Sequence, residues 1–251
     1  VIVEELLTGY ELSFMVLTDG TNVLPLLPAM DHKPVFDNDK GPNTGGMGAV
    51  APLPMVTEQL QKRILAEIIC PILDGLRSQG IIFRGCLYAG LMITRDGPKV
   101  LEFNCRFGDP ELQPLALLIE SDIVPVFQAI ARGSLDGQKL AMSKDAAVCV
   151  VMTSGGYPNK YQKKKEIIGL DRALDFPDSD IFFAGVVMEK ERLLSDGGRV
   201  LSAVAKAKDV PSAIGRVYQL VSQISWEGEH HRGDIGQKVL ANGIQLELRR
   251  S

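Results

Sequence analysis

The chain has 251 residues, of which 45% are hydrophobic and 23% are charged, and its formal net charge is −4. These are ordinary globular values for roughly one to two domains, and the slightly acidic balance excludes the basic footprint of a nucleic-acid-binding protein. No apolar run approaches the roughly 20 residues of a membrane span. The four cysteines have no Cys-x-x-Cys spacing, which is typical of reduced, buried thiols. We therefore expect a cytoplasmic protein with no nucleic-acid or membrane partner.

The chain opens on a short apolar run, residues 1–3, which predicts a buried strand. Glu4, Glu5, Leu6 and Leu7 follow. Considered alone, the two glutamates are interpreted as surface charges at the end of a strand. Because the first residue is not methionine and the pattern begins within a strand, we expect the chain to be a fragment that lacks an N-terminal part.

A hairpin and a long loop come next. Residues 11–18 and 22–27 flank a Thr-Asp-Gly-Thr sequence, which predicts an antiparallel pair. Residues 31–47 are polar and glycine-rich without periodicity, and a segment of this length is usually a functional loop or disordered. Within it, residues 43–48 allow successive backbone N–H groups to converge on an anion, since glycine permits positive φ. The loop is not a P-loop, because no Gly-Lys-Ser/Thr follows.

A helix is predicted from an N-cap at Thr57 to about Ser78, with a kink at Pro71. It is interpreted as scaffold. Beyond it, an apolar run over residues 86–93 and the turn pair Asp96-Gly97 predict a second hairpin.

The second strand of this hairpin carries the chemistry. Side chains alternate along a strand, so Leu101, Phe103 and Cys105 are expected to enter a core. The opposite face then presents a carboxylate, an amide and a guanidinium, from Glu102, Asn104 and Arg106.

Hard oxygen donors two residues apart suit Mg²⁺ that is also bound to nucleotide phosphates. Arg106 is suited to bidentate contact with phosphate or carboxylate. The alternative is a solvated strand face with an ordinary charge pair.

A sharp turn follows at residues 107–111, and a helical pattern runs from Pro110 to Arg132 with a possible restart at Ser121-Asp122. The N-terminus of this helix either adds its positive end to anion binding beside Arg106 or has its charge compensated by Glu111; the pattern leaves both open.

Residues 134–145 are polar and without period, and they are the predicted domain boundary. Beyond them short strands are predicted at residues 146–152, 181–188 and 200–206. A helix follows, capped by Asp209. Three lysines at residues 163–165 are interpreted as a solvated face rather than a phosphate patch, and the tripeptide Arg-Gly-Asp at residues 232–234 as a coincidence rather than an adhesion signal.

One motif resembles a known family. The sequence Glu-Phe-Asn-Cys-Arg-Phe-Gly-Asp-Pro-Glu at residues 102–111 closely resembles the signature of the phosphoribosylamine–glycine ligases, also called glycinamide ribonucleotide synthetases, of the ATP-grasp superfamily. Further blocks resemble that family in the family's order, at residues 3–7, 31–33, 41–49, 87–90 and 197–201.

The resemblance implies an α+β fold. The second half of an ATP-grasp domain, an antiparallel sheet with helices, would occupy residues 1–140. A small mixed, β-rich C-terminal α/β domain would occupy residues 141–251.

The resemblance also implies an activity in de novo purine biosynthesis. ATP-dependent ligation of glycine to 5-phosphoribosylamine, through glycyl phosphate, would give glycinamide ribonucleotide, ADP and phosphate. The implied cofactors are ATP and Mg²⁺ (or Mn²⁺). We expect the chain to be inactive alone, because in this family lysines of the preceding part reach the phosphates.

The family's site residues carry over by motif. Glu102 and Asn104 would bind the metal, and Arg106 would be catalytic, facing the transferred phosphoryl group or the glycine carboxylate. The residues implied for ATP are Glu4, Glu5, Leu6, Leu7 and Glu11. Backbone groups of Glu4 and Leu6 would pair with the adenine edge, and Glu11 would take the ribose hydroxyls. The residues implied for the substrates are Asp31, His32, Lys33, Asn43, Thr44, Gly45, Gly46, Met47 and Asp109.

Two departures from the family, Pro34 in place of arginine and Val50 in place of an aromatic residue, bear on substrate contacts. Two alternatives stay open. One is an ATP-grasp carboxylate–amine ligase with another acid or amine, and the other is a non-catalytic module that keeps only the fold.

Overall fold

The structure is a computed structural model that describes residue 1 and residues 3–241. The strands, in chain order, are β1 (Tyr10–Thr18), β2 (Val23–Pro25), β3 (Met30–Asp31), β4 (Pro34–Phe36), β5 (Lys40–Asn43), β6 (Gly48–Ala51), β7 (Gly85–Thr94), β8 (Gly97–Asn104), β9 (Ala146–Ser154), β10 (Ser179–Phe183), β11 (Val186–Glu189), β12 (Arg192–Ser195), β13 (Arg199–Ala207) and β14 (Glu229–His230). The α-helices are α1 (Glu58–Ile64), α2 (Cys70–Ser78), α3 (Leu112–Leu118), α4 (Val124–Arg132), α5 (Leu170–Leu174) and α6 (Val210–Val221).

The chain divides into two compact units that interleave along the sequence. Unit 1 comprises Val1–Met30, Val56–Gly108 and Ile119–Met142, and unit 2 comprises Asp31–Met55, Asp109–Leu118 and Ser143–Ser251. The assignment of separate domains to residues 1–140 and 141–251 stays a prediction.

Unit 1 is built on a four-stranded antiparallel sheet with the order β2-β1-β7-β8. Both predicted hairpins are confirmed: β1 pairs with β2, and β7 pairs with β8. The first turn is fixed by Asp19, whose buried carboxylate accepts from the backbone N–H groups of Thr21, Asn22 and Leu135. These hydrogen bonds outweigh the effect of burial and lower the pKa of Asp19 to about 2.

The predicted helix after Thr57 is also present, with the Thr57 side chain accepting from the Leu60 N–H at 3.2 Å. The irregularity expected at Pro71 takes the form of a π-helical turn, Leu65–Ile69, between α1 and α2. Proline has no N–H to donate to the helix, and the helix accommodates this by a local change from the α-helical to the π-helical repeat.

The helical pattern after Pro110 is split into α3 and α4, as the internal Ser-Asp signal predicted. Gly133 ends α4 in the left-handed conformation with φ 73.

Unit 2 is built on a sheet with the order β10-β13-β9-β6-β3, and β14 also pairs with β9. Every residue of β9 is buried, and α3 and α6 pack against β9 and β13. The predicted strands at residues 146–152 and 200–206 are confirmed. The one predicted at residues 181–188 is divided into β10 and β11.

The prediction of a buried strand at residues 1–3 is wrong for the two residues of this run that the structure describes. Val1 and Val3 are exposed and lie outside any strand, while Ile2 lies outside the described residues. Pairing of this part of the chain with β7 begins only at Tyr10, opposite Ile93.

All four cysteines are free, as predicted, but only Cys86 and Cys149 are buried. The lysines at residues 163–165 are paired with Asp196, Glu189 and Glu227. The predicted solvated face holds for Lys163 and Lys164, which are exposed, whereas Lys165 is half-buried. Within the described ranges, no helix combines the length and the apolar character needed to span a bilayer.

Candidate functional site

The predicted metal ligands lie on the edge strand of the unit 1 sheet. Glu102 pairs with Gly90 of β7, and Gly90 pairs with Ser13 of β1. Paired residues of antiparallel strands project from the same face, and so do residues two apart on one strand. Glu102 and Asn104 therefore share a face with Glu11, the residue implied for the ribose of ATP.

The side chains of the two predicted ligands are in contact with each other. The Asn104 side-chain N–H donates to Oε1 of Glu102 at 3.1 Å. Within residues 1 and 3–241 there is no group of three or more His, Cys, Asp or Glu side chains that could hold a metal by themselves. A carboxylate and an amide that leave other positions to phosphate and water fit Mg²⁺, which is usually bound by one or two protein groups together with a nucleotide.

Arg106 lies two residues beyond the end of β8, so strand alternation no longer fixes its direction. Its side chain is exposed, and one guanidinium N–H donates to the carbonyl of Phe107 at 2.8 Å.

The other face of β8 departs from the prediction. Leu101 is 41% exposed, Phe103 is 37% exposed, and Cys105 is exposed as well. The expectation that these three side chains enter a core is wrong in the described chain. The reasons are that β8 is an edge strand, that Leu101 lies at an irregularity in its pairing, and that Cys105 lies beyond the end of the strand.

The segment implied for the adenine edge leads into β1. Glu4, Glu5 and Leu6 are exposed, and Leu7 is half-buried. Gly9 then passes so close to β7 that a Cβ there would lie 2.0 Å from the Ile93 carbonyl oxygen. This places the segment at the end of the sheet where Glu11 projects.

The residues implied for the substrates lie in unit 2. His32 is completely buried, and its Nε2 accepts from the Gly236 N–H at 3.3 Å. Met47 is also completely buried. Their surroundings favour a supporting role for both side chains, and their assignment to the substrates stays a prediction.

The glycine-rich loop uses its own amides. The Thr44 N–H donates to the Lys33 carbonyl, and the Gly46 N–H donates to the Thr44 hydroxyl. The Gly45 N–H donates to the hydroxyl of Tyr157 at 3.1 Å. The sequence pattern allowed these amides to converge on an anion. In the structure they donate to protein groups instead, so contact between this loop and an anion would depend on side chains.

Sequence reasoning assigned no role to Arg199, which fixes this loop. Its guanidinium forms a two-point ion pair with Asp109, at 3.0 and 2.6 Å, and donates to the Gly45 carbonyl at 2.8 Å. The only sequence signal was its position in the block at residues 197–201. Asp109 and Gly45, both implied for the substrates, are thereby held together.

A second arginine was also missed. Arg232 is completely buried, and its guanidinium makes two hydrogen bonds of 2.7 Å to Asp234. It also donates to Asp39 and to the Pro34 carbonyl, each at 3.1 Å. The tripeptide therefore joins the C-terminal part of the described chain to the β4–β5 hairpin, and the complete burial of Arg232 argues against the adhesion interpretation.

The departures noted in the sequence fall in this region. Pro34 begins β4, while Val50 is completely buried in β6 and is a core residue.

The burial of His32 predicts a loss of stability in mild acid. Burial, with a smaller effect of the Arg232 and Lys238 charges, lowers the pKa of His32 from 6.5 to about 4. Between these two values the unfolded chain binds a proton that the folded chain does not, so the free energy of unfolding should fall by up to about 3 kcal/mol as the pH decreases through this range. Urea unfolding monitored by the fluorescence of Trp226, at pH 7 and at pH 4.5, measures the effect.

A His32→Gln variant is the control, because it removes the titrating ring. It should be less stable at pH 7 but lose less stability on acidification. Asp19 and Asp234 have pKa values that are lowered from 3.8 to about 2, so the stability that they contribute is lost only as the pH falls below 3.8. Equal pH dependence of the two chains would contradict the assignment.

Two family models match the chain. Residues 1–112 match the ATP-grasp (A) domain of phosphoribosylglycinamide synthetase, and residues 147–238 match its C domain. The phosphoribosylamine–glycine ligase of Vibrio parahaemolyticus is 46% identical over 242 residues, which are 96% of this chain and 56% of that protein. The chloroplastic ligase of Arabidopsis thaliana is 47% identical over 244 residues, which are 96% of this chain and 46% of that protein.

A crystal structure of the phosphoribosylamine–glycine ligase of Thermotoga maritima superposes with a TM-score of 0.83 at 34% identity, covering 93% of this chain and 57% of that one. The chain thus spans about half the length of the curated relatives it matches. The sheet that carries Glu102 and Asn104 is part of an ATP-grasp fold. The chain belongs to the phosphoribosylglycinamide synthetase family.

Proposed function

We propose that this chain contributes the metal- and nucleotide-binding face and the C-terminal part of a phosphoribosylamine–glycine ligase. The reaction joins glycine to 5-phosphoribosylamine while ATP is converted to ADP and phosphate, as a step of purine biosynthesis. The observation that carries the proposal is the common face of Glu11, Glu102 and Asn104 on the unit 1 sheet. Names of relatives such as the Vibrio parahaemolyticus ligase support the choice of substrates.

The chemistry required of these residues is mainly electrostatic. Phosphoryl transfer to the glycine carboxylate, followed by attack of the ribosylamine nitrogen, needs charge neutralisation and alignment. A divalent cation, when bound, would supply most of this neutralisation. Glu102 and Asn104 would hold the cation by their oxygens, and Arg106 is close enough along the chain to contribute its positive charge to the transferred group or the glycine carboxylate.

The substrates would depend on the loop residues of unit 2. Asp109 presents a carboxylate that is 56% exposed although it is paired with Arg199. Such a carboxylate is suited to an ammonium group, as glycine carries. The buried His32 and Met47 would then keep the loop in shape rather than contact the substrate directly.

The first test is cation binding by the 251-residue chain itself. Mn²⁺ added with ATP should broaden the backbone NMR signals around Glu102 and Asn104 in unit 1, because a paramagnetic ion relaxes nuclei near it. Addition of glycine should perturb signals around Asp109, and alanine or aspartate should not. Broadening elsewhere, or none at all, would contradict the proposed site, and an equal response to other amino acids would favour a ligase for another acid.

A further inference from the structure

Gly90 occupies an unusual place in the sheet. It is a buried residue in the interior of β7, opposite Glu102. Glycine in the middle of a strand is destabilising, because it loses more chain entropy than other residues and has no side chain to pack. Its backbone is not in the left-handed region that would require glycine. We therefore attribute the glycine to the limited space beside its Cα, where a side chain would have to fit.

The residue that limits this space is Glu102. A Cβ built on Gly90 would lie 3.2 Å from Cγ of Glu102 and 3.9 Å from its Oε1. The first distance is shorter than an ordinary van der Waals contact between carbon atoms. The Glu102 side chain thus lies in tight contact with the position that a Cβ of residue 90 would occupy.

The pairing of the two strands brings this contact about. Gly90 pairs with Glu102, whereas the next residue, Leu91, pairs with Val100, so that Leu101 is an additional residue on β8. Such a bulge twists a strand locally and re-aims the side chains beside it. On the same face of the sheet, Ser13 pairs with Gly90 and Tyr88 pairs with Asn104, and the hydroxyl groups of these two buried residues are 2.8 Å apart.

We propose that Gly90 is a positioning residue for the Glu102 carboxylate. The proposal rests on the proposed function, because it concerns the cation that Glu102 and Asn104 would share. Without a Cβ at residue 90, Glu102 can lie across β7 with Oε1 next to the Asn104 amide. A methyl group there would displace Cγ of Glu102 by a few tenths of an ångström, and the carboxylate that Cγ carries would then move relative to the Asn104 amide.

The test is the affinity of the 251-residue chain for Mn²⁺ in the presence of ATP, followed by paramagnetic broadening of its NMR signals. Gly90→Ala should bind the ion about 10-fold more weakly, the lower end of the effect of removing a group that orients a metal ligand. Its thermal midpoint should stay equal to that of the unchanged chain or rise, because alanine is the better strand residue. Gly90→Val, with a larger side chain, should weaken binding further.

Gly75→Ala is the matched control. Gly75 lies in α2 of the same unit, and a Cβ there would have no neighbour within 4 Å. This variant should bind Mn²⁺ as the unchanged chain does.

Glu102→Gln separates the two levels of the argument. If it binds Mn²⁺ as well as the unchanged chain, the proposed metal site is wrong. If it loses binding while Gly90→Ala retains full affinity, only the role of Gly90 is wrong. A Gly90→Ala chain that melts early with unchanged affinity would assign the glycine to packing and overturn the proposal.

Discussion

Replacement of Glu102 by glutamine should remove Mn²⁺ binding at the unit 1 sheet and leave the fold intact. Glutamine keeps an oxygen for the Asn104 amide, but it loses the negative charge on which a two-ligand cation site depends. In a full-length ligase that carries the same change, Mg²⁺-dependent turnover should fall by at least about 10²-fold, the scale observed when one preorganised electrostatic group is lost. Paramagnetic NMR on the chain and a coupled assay of ADP formation on the full-length enzyme give the two measurements.

Glu120→Gln provides the comparison, since Glu120 is an exposed glutamate of the same unit. It should change neither property. An early-melting Glu102→Gln chain with normal metal binding would mean that the carboxylate is structural, and the assignment of the cation to β8 would have to be abandoned.

Replacement of Arg232 by methionine should cost about 2–4 kcal/mol of the free energy of unfolding. Methionine has a similar length but leaves Asp234 without its guanidinium partner and Asp39 with only Lys238, and a carboxylate that loses its partner away from water is strongly destabilising. The value is at the lower end for a buried pair, because the two aspartates are 21% and 32% exposed. Urea unfolding monitored by Trp226, the single tryptophan, which is buried in unit 2, measures the change.

Arg192→Met is its control. Arg192 is 55% exposed in a pair with Glu166 at 3.3 Å, and exposed pairs contribute less than about 1 kcal/mol. Equal stability of the two variants would show that the buried network around Arg232 adds nothing to the folded state.

Hairpins and the alternation of side chains along a strand could be predicted, because they depend on residues that are close together in the sequence. The turn pair at residues 96–97 predicted a hairpin, and a side-chain period of two placed Glu102 and Asn104 on one face. The bulge falls at Leu101, before both residues, so it does not disturb their alternation. Prediction of the two oxygen donors as neighbours therefore needed no knowledge of the rest of the chain.

Features that depend on distant partners could not be predicted in this way. Alternation identifies which residues share a face of β8, but not whether another element covers that face, and Phe103 is exposed for this reason. Arg199 meets Asp109 across 90 residues, and Arg232 meets Asp39 across 193. The glycine-rich loop illustrates the same limit. Its composition permits an anion site, but the hydroxyl of Tyr157, 112 residues away, takes the Gly45 amide.

The interleaving of the two units has a consequence for anyone who wishes to shorten the chain. β6, from residues in the first fifth of the sequence, pairs with β9 at the centre of the unit 2 sheet. A piece that begins near residue 140 would expose one side of β9 and lose the hairpin that Arg232 holds. An exposed central strand is a template for pairing with another molecule. Truncation at the apparent boundary in the sequence would thus yield an aggregating product, whereas a deletion that respects the units would have to join segments that are far apart in the chain.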